Sequence, residues 1–113
     1  MLVFSHTHLP RELLDGVQRC CIAGAAQGLH CFEAWHYGIE PGAEAALAAC
    51  ADETVLLVLE GAGRLALASG PQRVQAPCTV RLPPQDETRV ANIGAAPLKL
   101  LLLSASPAAG PSA

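Results

Sequence analysis

The sequence predicts a single all-β domain built as a sandwich or closed barrel. Three observations lead there. The chain has 113 residues, room for one domain. Its apolar stretches are short and rich in β-formers, with 54–59 (Thr-Val-Leu-Leu-Val-Leu) the clearest. Turn signals then recur at short intervals, which is the pattern of packed or closed antiparallel sheets.

The elements follow in order. Residues 10–14 (Pro-Arg-Glu-Leu-Leu) suit a short helical turn with proline near its start. Residues 20–22 suit a short strand, and 1–28 as a whole an N-terminal arm or edge segment able to reach a partner subunit. Residues 29–39 form a strand that ends at the turn Glu40-Pro41-Gly42. One of its faces carries His30, Phe32, Ala34, His36 and Gly38, and the other Leu29, Cys31, Glu33, Trp35, Tyr37 and Ile39. Alternation does not say which face is inside. Alanine-rich 43–51 favours helix by propensity, but the spacing around it argues for a loop and a strand. A buried strand at 54–59, a hairpin turn at 60–63 and a returning strand at 64–68 follow. Further short strands lie at 73–76, 79–82, 89–92 and 98–104. Residues 106–113 are Ser, Pro, Ala and Gly, the composition of a flexible tail.

Composition narrows the function. The chain is 51% hydrophobic and 15% charged, with a formal net charge of -3. Its Lys and Arg residues are scattered, so neither nucleic acid nor an anionic membrane surface is expected as a partner. No apolar run is long enough to span a bilayer, and residues 1–10 lack the pattern of a signal peptide. A cytoplasmic location is therefore expected. An apolar domain of this size exposes much of its surface, and a homodimer is the expected way to cover it. The five cysteines include no C-x-x-C pair and read as free thiols packed like small apolar residues.

Two segments carry a family resemblance. Residues 41–61 read PGAEAALAACADETVLLVLEG, with glycines in place at Gly42 and Gly61. Residues 77–92 read PCTVRLPPQDETRVAN, with Pro83 and Asn92 in place. Together they resemble the two cupin motifs, G-x5-H-x-H-x3-E-x6-G and G-x5-P-x-G-x2-H-x3-N. The resemblance covers 29–104 and implies a double-stranded β-helix, a jelly-roll-like barrel over 29–105. It also implies a metal held by three imidazoles and a carboxylate. Here those four positions carry Ala48, Cys50, Thr54 and Thr88. Alanine has no donor, a threonine hydroxyl is a poor ligand for a transition metal, and one thiolate does not make a tight site. The reading is a metal-free cupin with no cofactor.

The expected role is to bind a small molecule or to act as a structural module. Cys50, Thr54, Thr88, His36, Leu56 and Val58 are the candidate pocket residues. His36 would reach the cavity if its face lines the barrel. One alternative is a metal-free acid–base enzyme, with His36 as base and Tyr37 or a carboxylate as acid. Another keeps a metal on unusual ligands drawn from Cys50, His30, His36 and Glu53. The pairs Asp52-Glu53 and Asp86-Glu87 read as solvated loop carboxylates. His6-x-His8 and the Glu33, Trp35 and Tyr37 face read as structural.

Overall fold

Alternation within each apolar stretch decides how this chain folds. In the computed structural model, residues 1–47, 53–84 and 87–105 are described. Ten strands span them: β1 (Glu12–Leu14), β2 (Val17–Ala23), β3 (Phe32–Ile39), β4 (Glu44–Leu47), β5 (Thr54–Glu60), β6 (Ala62–Leu67), β7 (Gly70–Gln75), β8 (Cys78–Leu82), β9 (Thr88–Asn92) and β10 (Leu98–Ala105). They form two antiparallel sheets, one of six strands in the order β1-β2-β3-β10-β5-β8 and one of four in the order β4-β9-β6-β7. Sequence neighbours such as β3 and β4, or β5 and β6, fall in different sheets. The chain crosses between layers repeatedly, as a jelly roll does.

The two inner faces meet in one apolar core. Ile39, Leu56, Leu98 and Leu100 from the larger sheet pack with Leu47, Leu65 and Val90 from the smaller. All are essentially inaccessible to water, and their burial is the main favourable contribution to folding. Leu56 and Val58 belong to this core. Both side chains are essentially inaccessible to water.

Three connections fix the geometry of the ends of the sheets. Asp15 and Gly16 both have positive φ, 49° and 81°, and join β1 to β2 as a two-residue hairpin. Gly61, at φ 93°, joins β5 to β6. A side chain there would lie 3.0 Å from the Pro97 carbonyl oxygen and 3.1 Å from Leu98 Cα, so glycine is required for close approach as well as for the turn. Asn92 closes the far end of the barrel. Its Nδ2 donates to the carbonyls of Ile39 (2.8 Å) and Ala96 (2.9 Å), and its Oδ1 accepts from the Gly94 amide at 2.8 Å.

One expectation is corrected. Residues 10–14 do not start a helical turn. Glu12–Leu14 is a strand paired with Val17–Arg19, because the Asp-Gly hairpin gives it a partner and a lone helical turn has none. The short N-terminal 3-10 turn is at His6–His8 instead. Packing decides which face of β3, left open by alternation, is the inner one. Trp35, Tyr37 and Ile39 pack against the core, so His36 and Gly38 face outward. Burying two large aromatic side chains and an isoleucine outweighs burying alanine, histidine and glycine.

Candidate functional site

Register sorts the inner-facing residues into rows that cross the larger sheet. One row reads Tyr37, Leu100, Val58, Cys78 and the next reads Trp35, Leu102, Leu56, Val80. The last reads Glu33, Ser104, Thr54, Leu82. Polarity enters only in this last row, at the end where β5 and β9 begin. In the smaller sheet Thr88 stands beside Leu47 at the start of β9.

Thr54 and Thr88 are the distinctive groups. They are 6% and 1% exposed. The Oγ1 of each has no hydrogen-bond partner among the described residues. A buried hydroxyl without a partner costs free energy, since it gave up its water on folding. Two of them, one from each sheet, are a standing capacity to hydrogen-bond something polar placed between the sheets.

The remaining sequence candidates are dispersed. His36 is on the outer face, between Cys20 and Leu101 of the neighbouring strands. Burial lowers its pKa from the ordinary 6.5, and nearby Lys99, Arg11 and His6 lower it further. His30 is exposed, and Glu53 is exposed at an ion pair with Arg81 of 3.5 Å. Neither meets His36, and among the described residues no three His, Cys, Asp or Glu side chains converge. Ala48 and Cys50 lie outside the described residues, as do Asp52 and Asp86. Of the other cysteines, Cys20, Cys21, Cys31 and Cys78 are free thiols. Burial, and then the Glu33 carboxylate, push the Cys21 thiol up, which keeps it protonated at neutral pH.

Sequence reasoning missed one feature. An open cleft of about 300 Å³ runs along the edge between β1–β2–β3 and β4, lined by Glu12, Arg19, Tyr37 and Glu44 among others. The Arg19 guanidinium lies 4.8 Å over the Trp35 ring and pairs with Glu12. Glu12 first, and then Tyr37, raise its pKa. Glu44 is held by Arg89. The Asp15-Gly16 dipeptide was the available signal, since an Asp-Gly hairpin brings Glu12 opposite Arg19.

Comparison with known proteins agrees with this architecture. No family model and no curated protein matches the chain. Solved structures do match. A sugar phosphate isomerase of the cupin superfamily from Silicibacter pomeroyi aligns with a TM-score of 0.76 at 20% identity, over 90% of this chain and 74% of that one. The polyketide cyclase RemF from Streptomyces resistomycificus aligns with a TM-score of 0.77 at 15% identity, over 93% and 79%. An RmlC-like cupin from Shewanella frigidimarina aligns with a TM-score of 0.72 at 16% identity, over 90% and 87%. The two-sheet order, the Gly61 turn and these superpositions agree: the chain has the fold of a small RmlC-like cupin domain.

Proposed function

We propose that this chain is a metal-independent cupin that binds a small molecule between its sheets, at the end where β5 and β9 begin. One observation carries the reading. Thr54 and Thr88 stand at the positions where the cupin pattern has a glutamate and a histidine, and both present buried hydroxyls with no hydrogen-bond partner among the described residues. Such neutral oxygens do not fit a transition metal, which needs imidazole, thiolate or carboxylate donors. They do fit a small, mostly apolar ligand with one or two polar groups. No catalytic step follows from this arrangement. The acid–base alternative needed His36 inside the barrel, and His36 faces out. An isomerase and a cyclase share the fold, but a fold does not assign a reaction.

Two measurements test the reading. Elemental analysis of untagged protein, purified without chelator and then soaked in iron, manganese, nickel or zinc, is expected to find metal far below one equivalent. Stoichiometric metal that disappears in Cys50→Ala would overturn the proposal. The second is a thermal-shift screen of small molecules on the native chain, on Thr88→Val and on Thr54→Val. Each valine is nearly isosteric and removes a hydroxyl that has no partner among the described residues. The free protein should therefore gain about 1–2 kcal/mol, or roughly 5–10 °C in Tm. Compounds that stabilise the native chain should lose that effect in the variants. Destabilised variants would show that the hydroxyls are already satisfied.

A further inference from the structure

The outer face of the larger sheet holds a second cavity, unrelated to the threonines. It has a volume of about 340 Å³. Register explains how it arises. Gly38 sits in the middle strand, directly between Gln18 of β2 and Lys99 of β10. Two long polar side chains flank a residue that has none, so a slot opens over the β3 backbone. A side chain built on Gly38 would meet nothing within 4 Å. His36 borders the slot one row along the same face, and Arg11 and Leu13 close it from the N-terminal segment, with Pro97 at one end.

The chemistry of this slot favours an anion with an apolar body. Its lining holds two cations, Arg11 and Lys99, against one carboxylate, Glu40. Arg11 forms no ion pair among the described residues. Lys99 pairs with Glu60 at 3.2 Å, but both side chains are about half exposed (47% and 64%), and such a pair is weak enough to be exchanged for a ligand. Gln18 and His36 add neutral N–H donors. Leu13 is 75% exposed and, with Pro97, offers apolar surface that a bare inorganic ion would leave uncovered. We propose that the slot over Gly38 binds a small organic carboxylate, its oxygens between Arg11 and Lys99 and its apolar part against Leu13 and Pro97.

His36 makes the slot readable. The groups acting on it are Lys99, Arg11 and His6, which disfavour its charged form, and Glu60, which favours it; Glu40 also lines the cavity. A bound carboxylate adds a negative charge beside the ring and raises the pKa of His36. By linkage, the carboxylate binds more tightly as pH falls through that pKa.

The experiment follows the His36 imidazole by NMR through a pH series, using isovalerate, its neutral analogue isovaleramide, and inorganic phosphate at constant ionic strength. Isovalerate is expected to raise the His36 pKa saturably, and isovaleramide to leave it unchanged. Arg11→Gln and Lys99→Gln should each weaken isovalerate by about tenfold. Gly38→Val fills the slot where there is free space and suits a strand, so it should fold normally and abolish the effect. The proposal is overturned if isovalerate leaves His36 unmoved, if it moves His36 equally in Gly38→Val, or if phosphate binds more tightly than isovalerate. None of these results depends on Thr54 or Thr88.

Discussion

Replacing Asn92 with alanine is expected to cost about 3–5 kcal/mol, a substantial fraction of the stability of an ordinary domain, about 5–15 kcal/mol. Asn92 is 4% exposed. Its side chain makes three hydrogen bonds, to the carbonyls of Ile39 and Ala96 and from the amide of Gly94. Those partners come from the end of β3 and from the connection between β9 and β10. Alanine leaves the Ile39 carbonyl and the Gly94 amide without partners in a site that water reaches poorly, and each stranded group costs about 1–3 kcal/mol. Urea unfolding followed by the fluorescence of the single tryptophan, Trp35, measures the loss. A cost below about 1 kcal/mol would mean that water replaces the side chain, and that Asn92 does not hold the connection in place. Asn92 is thus a structural residue of the second motif, distinct from Thr88 in the same motif.

Leu56→Ala is expected to cost about 2–5 kcal/mol, the range for deleting a buried leucine side chain. Leu56 is wholly buried between Leu102 and Val80. Removing its branch leaves a void that neighbours on paired strands cannot easily fill. Leu59→Ala, in the same strand but 45% exposed, is the control and should change stability by no more than about 0.5 kcal/mol. The comparison separates two roles for Leu56. A core leucine gives the full loss. If Leu56 lined a hydrated pocket, the loss would fall toward that of Leu59, and the binding site would extend deeper than the threonine row.

These expectations bear on how the proposed ligand is held. The rows from Tyr37 to Val80 are largely apolar, and the row of Glu33, Ser104, Thr54 and Leu82 lies next to them. A ligand bonded to Thr54 and Thr88 would rest on Leu56 without displacing it. Stability and binding can then be altered separately, by Leu56→Ala and by Thr88→Val.

Most strand positions were legible in the sequence because strands such as Thr54–Glu60 and Leu98–Ala105 are short apolar runs bounded by glycine, proline or an acidic turn. The motif resemblance also placed Gly61 and Asn92, which prove to be a tight turn and a buried amide, two settings that each demand a particular residue. Direction was harder. His36 and Tyr37 are adjacent, and either face of β3 could have been the inner one. Only the packing of Trp35, Tyr37 and Ile39 against the opposite sheet turned His36 outward, because the core gains more from those three side chains. The β1–β2 hairpin likewise depended on pairing, since Glu12–Leu14 has helical propensity until Asp15-Gly16 folds it onto β2. The slot over Gly38 could not be read from the chain at all. It needs Gln18, Gly38 and Lys99 side by side, and residues so far apart in sequence become neighbours only through the register of three strands.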